Sequence, residues 1–144
     1  MTVPSSVVPA PELPSYANPA GVGVPFSSYS HVSRVGGLVF VAGQVGIDEA
    51  NRPVGPDVAA QTARAYENVR TILESQGSSL RHVVRFVSYL VSADDVPEFY
   101  RAREEYFAEA YPDAQYPPNT LLIVAGLVRP ELRVEIDATA SVST

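Results

Sequence analysis

Three charged residues alternate with apolar ones near the end of the chain, at Arg133, Glu135 and Asp137. Successive side chains of a β-strand point to opposite faces, so these three would share one face of a sheet. A carboxylate held near a reacting carbon can orient a water molecule and carry a proton, which is the chemistry of hydrolysis. A solvated row of ion pairs explains the same alternation, and such pairs contribute little to stability. The alternation by itself favours the row of surface ion pairs.

A glycine interrupts an apolar segment at Gly43, within the sequence LVFVAGQVGID of residues 38–48. The large apolar residues are typical of a strand that is buried on both faces. Glycine inside a strand loses packing and backbone entropy, so it marks a bulge or a close approach of the backbone to another group. That group could be a ligand or another subunit, and a simple bend at a sheet edge explains the glycine equally well.

Other familiar reaction centres are missing from the sequence. The chain has no cysteine, which excludes disulfides, thiolate nucleophiles and the usual iron–sulfur and structural zinc sites. The two histidines, His31 and His82, lack a partner at metal-ligand spacing, and we expect His31 to be a structural residue. Ser30 is not part of a Gly-x-Ser-x-Gly turn, and the sequence has no glycine-rich phosphate loop.

The apolar patterns predict the order strand, strand, helix, strand, helix, strand, strand. The predicted strands cover residues 29–35, 38–46, 83–91, 120–124 and 133–141. The first helix opens at Asp57 and ends at Gly77. The second opens at Asp95, which forms a capping box with Glu98, and ends at Pro112. This order predicts an α+β fold with both helices on one face of a mixed sheet, and we expect another subunit to cover the opposite face.

Residues 1–27 are predicted to form a proline-rich N-terminal arm, and residues 28–144 the folded domain. Six of the 13 prolines precede residue 26, and prolines at that density block helix and sheet hydrogen bonds. The segment is therefore a flexible tail or an arm that packs on a neighbouring subunit. The domain itself is long enough to fold without metals or disulfides.

The charge balance argues against a nucleic-acid partner. The net charge is −6, whereas nucleic-acid binding requires a basic surface. No apolar run approaches the ~20 residues that a membrane-spanning helix needs. The N-terminal sequence also lacks the pattern of a secretory signal. We therefore expect a cytoplasmic protein without a membrane partner.

Several segments, taken in order, resemble the RidA/YjgF family of imine and enamine deaminases. The resemblance is carried by Tyr29-Ser30, Phe40–Gln44, Gln61-Thr62 with Asn68, Val134–Ala138, and Gly126–Glu131, which resembles the aminoacrylate-deaminase branch. It implies a chorismate-mutase-like fold and a homotrimer whose ligand clefts lie between subunits. It also implies release of ammonia from 2-aminoacrylate or related small imines and enamines, without a cofactor.

The same resemblance implies roles for three residues. Glu135 matches the glutamate that positions the attacking water and would be the catalytic residue. Gly43 matches the glycine whose backbone lines the cleft, and Tyr29 matches a cleft tyrosine, although a buried tyrosine often serves packing alone. With this resemblance, the hydrolytic explanation of Glu135 becomes favoured over the row of surface ion pairs.

One substrate-binding position departs from the family pattern. Asn119 stands where the family has an arginine that binds the substrate carboxylate, and the loss of that charge would cost ~2–5 kcal/mol of affinity for an anion. The chain could hydrolyse a small imine other than 2-aminoacrylate, held by Asn119, Thr120 and the backbone at Leu121. Arg129 or Arg133 could instead supply the charge. In a third explanation catalysis is lost, and the trimer serves as a ligand-binding or assembly protein.

Overall fold

The computed structural model describes residues 6–144 and shows a six-stranded mixed sheet with two α-helices. The strands are β1 (Ser15–Ala17), β2 (Val32–Val35), β3 (Leu38–Val45), β4 (Val83–Leu90), β5 (Asn119–Ile123) and β6 (Val134–Ser141). The helices are α1 (Val58–Ser75) and α2 (Val96–Ala110). The α+β class predicted from the sequence is confirmed.

The strands lie in the order β1-β2-β3-β6-β4-β5. Every neighbouring pair is antiparallel except β4 and β5, which run parallel and are connected through α2. The last strand of the chain, β6, is therefore central, between β3 and β4. This position brings residues at opposite ends of the sequence together.

The helices pack on one face of the sheet. Tyr66 and Ile72 of α1 and Phe99 of α2 are fully buried, and they share one hydrophobic core with Val134 and Ile136 of β6. Burial of such side chains is the main stabilising contribution to folding. Of residues 6–144, no helix has both the length and the apolar character that crossing a membrane requires.

The opposite face of the sheet carries apolar side chains that no other part of the described chain covers. Along β3, the buried Val39 and Val41 alternate with Leu38 and Phe40, which are 41% and 42% exposed. Leu122 of β5 is 44% exposed. Exposed apolar residues in a group are typical of an interaction surface. Coverage of this face by another subunit stays a prediction.

The capping box predicted for α2 is wrong. Asp95 precedes the helix, but its side chain makes no capping hydrogen bond. Its carboxylate instead accepts hydrogen bonds from the guanidinium of Arg133, at 2.5 Å and 3.2 Å. Charge-assisted bonds of this kind are about twice as strong as neutral ones, which explains why the carboxylate prefers the arginine.

The proline-rich segment contributes a strand to the sheet. Ser15 to Ala17 pair with Val32 to Arg34 on β2, so β1 forms one edge of the sheet. The predicted strand at residues 29–35 begins only at Val32. The predicted boundary after residue 27 stays a prediction, and the part of the arm at residues 1–5 lies outside the described residues.

Gly46, just after β3, touches helix α1. A Cβ atom at Gly46 would lie 2.5 Å from the Cβ and 2.6 Å from the Cα of Gln61. Gln61 is fully buried, and its side chain holds three backbone groups, at Gly55, Glu131 and Arg133. It therefore has no free space into which it could move.

We expect Gly46→Ala to lower the free energy of unfolding by about 1–3 kcal/mol, the usual cost of overpacking. Urea denaturation measures the change. Gly126→Ala is the control, because a Cβ at Gly126 meets nothing within 4 Å, and its effect should stay within about 0.5 kcal/mol. Equal stability of the two variants would contradict this packing.

Candidate active site

Glu135 projects from β6 on the face away from the helices. Its neighbours in sequence, Val134 and Ile136, are fully buried in the core. Because side chains alternate along a strand, these two fix the direction of Glu135. The side chain is half-buried, so its carboxylate is partly removed from water.

Gly43 lies directly against this carboxylate. The register between β3 and β6 shifts between Val41 and Gln44, so β3 contains a bulge there. A Cβ atom at Gly43 would overlap the Glu135 carboxylate and would lie 2.7 Å from its Cδ. The glycine thus marks both a bulge and a close approach, and within the described chain the approaching group is Glu135.

Glu135 and Gly43 line a cavity of about 260 Å³. The other lining residues are Phe26, Ser27, Tyr29, Ala42, Val45 and Val128. Tyr29 is 44% exposed, and its hydroxyl accepts a hydrogen bond from the Phe26 backbone N–H at 3.2 Å. The cavity is thus mostly apolar, with one carboxylate on its wall.

Burial raises the pKa of Glu135, and the nearby negative charge of Asp137 raises it further. Asp137 itself accepts a hydrogen bond from the Tyr89 hydroxyl at 2.9 Å. No ion pair among residues 6–144 includes Glu135, and Arg133 pairs with Asp95 instead. The row of surface ion pairs is therefore the wrong explanation for Glu135. A carboxylate with a raised pKa is better suited to exchange protons near neutral pH.

Most of the chain matches one known protein family. Residues 23–142 match the family described as Endoribonuclease L-PSP, which is the RidA/YjgF family. The chain belongs to the RidA/YjgF family.

Two relatives illustrate this membership, and one solved structure shares the fold. The 3-aminoacrylate deaminase RutC of Acinetobacter baylyi is 33% identical over 125 residues, covering 86% of this chain and 94% of that protein. A RutC family protein of Pyrococcus abyssi is 40% identical over 89 residues, covering 61% of this chain and 70% of that protein. The crystal structure of the YjgF gene product from E. coli has a TM-score of 0.81 at 22% identity, covering 88% of this chain and 98% of that one, and shows the same fold.

Not all of the predicted site residues of this RidA/YjgF protein come together within one chain. Tyr29, Gly43 and Glu135 line one cavity, but Asn119, Thr120 and Leu121 lie on β5, which β4 separates from β6. A cleft lined by both groups would require a second copy of the chain. The shared cleft stays a prediction.

Asn119 points to the helix side of the sheet. Its register partner on β4 is Phe86, a residue of the core, and its Oδ1 accepts a hydrogen bond from the buried Ser88 hydroxyl at 2.7 Å. Thr120 pairs with Val87, which in turn pairs with Asp137, so Thr120 shares the face of Glu135. Asn119 is thus on the opposite face from the carboxylate.

The two arginines considered as substitutes for the family arginine both have carboxylate partners. Arg129 donates to Glu131 at 2.7 Å and to the Asn51 carbonyl at 2.8 Å. Arg133 donates to Asp95. Since each positive charge is already paired within the chain, neither is free to bind a substrate carboxylate without breaking these contacts.

His31 is a structural residue, as predicted. It is 6% exposed, and its Nε2 lies 2.5 Å from the Gly23 carbonyl oxygen, which can only accept, so Nε2 carries the proton. Its Nδ1 accepts from the Gln44 amide at 3.2 Å, and the same amide donates to the Ala42 carbonyl at 3.0 Å. Gln44 thereby holds the bulge beside Gly43, a role that the sequence analysis missed.

Gln61 is a second residue whose role the sequence analysis missed. Its side-chain amide group donates to the Gly55 and Glu131 carbonyls, at 2.8 Å and 3.0 Å. Its Oε1 accepts a hydrogen bond from the Arg133 backbone N–H at 2.8 Å. These bonds fix the start of β6, two residues before Glu135. The amino-acid type alone could not reveal this, because Glu131 and Arg133 lie about 70 residues away in the sequence.

Proposed function

We propose that this protein hydrolyses a small imine or enamine, releasing ammonia and a carbonyl product. The observation that carries the proposal is the half-buried Glu135 carboxylate, free of ion pairs among the described residues and held against the Gly43 backbone at the wall of a cavity. The family membership and the Acinetobacter relative named 3-aminoacrylate deaminase support the same reaction class.

In the proposed reaction, Glu135 moves protons between water and the substrate nitrogen. Its carboxylate accepts a proton from a water molecule while the water oxygen bonds to the imine carbon. The protonated carboxyl then returns that proton to the nitrogen of the carbinolamine. Glu135 next carries the hydroxyl proton of the carbinolamine to the same nitrogen. The carbon–nitrogen bond then breaks, ammonia leaves, and the carbonyl forms. An enamine enters the sequence after a proton moves from its nitrogen to its β-carbon, which converts it into the imine.

The substrate of the proposed reaction is a small imine or enamine other than 2-aminoacrylate. Asparagine at position 119 provides a neutral amide in place of the charged fork of an arginine. The cavity beside Glu135 is walled mainly by Phe26, Tyr29, Val45 and Val128. Neutral or aromatic imines suit such walls better than an anion does.

The proposed assembly is a homotrimer with its clefts between subunits. The apolar side chains of Leu38, Phe40 and Leu122 on the uncovered face support an interface there. Although the family description contains the word endoribonuclease, we propose no activity on RNA for this protein, because a net charge of −6 opposes binding to phosphates.

The test is ammonia release from a panel of imines generated in situ by an amino-acid or amine oxidase. We expect the wild-type protein to accelerate hydrolysis of neutral or aromatic imines at least ~10-fold over buffer, a modest demand on one acid–base group. The acceleration over buffer should be smaller for imines that carry a carboxylate. A rate no better than buffer on both substrate classes would end the proposal and favour a ligand-binding or assembly protein.

A further inference from the structure

The N-terminal arm carries apolar side chains that its own chain leaves in solvent. Residues 6–14 form no helix or strand, and Val7, Val8 and Leu13 are 84–87% exposed. Prolines at positions 9, 11 and 14 remove backbone donors and favour an extended conformation. Exposed apolar side chains in a group are typical of an interaction surface. The arm therefore has the character of a segment that binds elsewhere.

A groove lies next to β1 on the face of the sheet away from the helices. Tyr16 of β1, Ser33 of β2 and Phe40 of β3 form one row across the three strands. Phe40 alternates with Val39 and Val41 of the core, so this row lies on the uncovered face. The small Ser33 between two aromatic side chains leaves a cavity of about 300 Å³. We call this row and its cavity the edge groove.

The arm runs away from the edge groove of its own chain. β1 is antiparallel to β2, and Oε2 of Glu12 lies 4.0 Å from where a Cβ atom at Gly36 would be, so the arm passes the turn between β2 and β3. The edge groove extends the opposite way, toward Ser30 and Ala42. An extended chain carries Val8 roughly 12 Å past Glu12, at ~3.1 Å per residue. Filling its own groove would require a sharp reversal in a stretch where prolines oppose one.

The arm and the edge groove match each other in charge and in chemistry. The segment 6–11, with the sequence SVVPAP, and all residues that line the groove are uncharged. Because a net charge of −6 makes two copies of the chain repel each other, a contact between copies is most favourable where neither surface is charged. Proline-rich segments bind grooves that are lined by aromatic rings, and Tyr16 and Phe40 provide two such rings.

We propose that residues 6–11 of one copy pack into the edge groove of a neighbouring copy, with the valines and prolines against Tyr16 and Phe40. Every copy carries one arm and one groove, so a closed ring of copies pairs all of them. The arm and Tyr16 precede residues 23–142, which match the family, so the contact depends on a segment outside that match. It also goes beyond the proposed hydrolysis, because neither aromatic residue lines the cavity at Glu135.

Quenching of a tryptophan on the groove wall tests whether the arm covers the groove. The chain has no tryptophan, so Tyr16→Trp introduces a single one and keeps an aromatic ring there. In that background, Val7→Asp together with Val8→Asp should raise the acrylamide quenching constant at least ~2-fold, because charged side chains keep the arm in water. Leu13→Asp is the matched control, since Leu13 is as exposed as the two valines but lies outside the docked segment. It should leave the quenching constant unchanged.

Disulfide cross-linking tests whether the arm comes from another copy. The chain has no cysteine, so Val8→Cys with Ser33→Cys introduces the only two thiols. Oxidation should join three or more chains covalently, whereas either single variant can join two at most. Val8→Cys with Glu109→Cys is the control, because Glu109 is exposed on α2, across the sheet from the groove. The first pair should give at least ~10-fold more interchain product, because docking raises the effective concentration of its thiols.

The proposal is overturned if the two aspartates on the arm change tryptophan quenching no more than Leu13→Asp does. Equal interchain product from the two cysteine pairs would also overturn it. So would a disulfide confined to single chains, because the arm would then fill the groove of its own chain. Neither measurement involves turnover of an imine, so this proposal and the proposed hydrolysis can fail separately.

Discussion

Glu135→Gln is expected to lower kcat/KM for imine hydrolysis by about 10²–10⁴-fold, the usual contribution of a general acid–base group. Glutamine has nearly the same shape as glutamate and fits beside Gly43, but its amide cannot accept a proton from water. The loss should therefore fall mainly on kcat. Buffer-corrected ammonia release over a range of substrate concentrations measures both parameters.

Glu74→Gln is the matched control for this substitution. Glu74 is exposed on α1 and belongs to no ion pair among the described residues, so its replacement should leave the rate unchanged. If Glu135→Gln retained the wild-type rate within about 3-fold, a range too small for acid–base catalysis, Glu135 would not be the proton carrier.

Gly43→Ala is expected to lower the same rate by about 10²-fold, the effect that a misplacement of about 1 Å can have on catalysis. The added methyl group would overlap the carboxylate of Glu135. The clash is with the far end of a half-buried side chain, so Glu135 can swing away and the fold can persist. The catalytic group would then be present but misplaced.

Gly126→Ala again serves as the control, because its added methyl group meets nothing within 4 Å. Both variants should give circular dichroism spectra like that of the wild type. Full activity in folded Gly43→Ala would show that the position of the carboxylate against this backbone does not matter for the reaction.

Local sequence patterns were sufficient to predict the longest elements. Asp57 precedes α1 as predicted, with its carboxylate accepting from the Ala59 and Ala60 backbone N–H groups at 3.3 Å. Gly77 follows the helix with a φ of 75°, a left-handed conformation that favours glycine. Alternation along β6 likewise predicted which of its side chains leave the core, because the period of a strand depends only on neighbouring residues.

Features that depend on distant residues were not predictable in this way. β1 is three residues long and lies between Pro14 and Pro19; its pairing with β2 is visible only once the sheet is assembled, and an edge strand tolerates nearby prolines. Asp95 looked like a capping residue because its partner, Arg133, is 38 residues away. A pattern of neighbouring residues carries no information about a hydrogen-bond partner that is so distant in the sequence.

The candidate site was predictable in part for the same reason. The sequence left Gly43 open between a close approach and a simple bend, because the approaching group, Glu135, is on a strand that pairs with β3 only in the folded chain. The position of Asn119 on the helix side follows from the parallel register of β4 and β5, which the sequence does not specify.

The most direct measurement of the central claim is the pH dependence of kcat/KM in the wild type and in Asp137→Asn. Glu135 must be ionised to accept a proton, so activity should fall as the pH drops through its pKa, which burial raises and Asp137 raises further. The acid limb of the wild type should therefore lie above the ordinary range of a glutamate, and Asp137→Asn should move it to lower pH by removing a like charge. An acid limb that is absent, or that Asp137→Asn leaves in place, would contradict the assignment of Glu135 as the group that carries the proton.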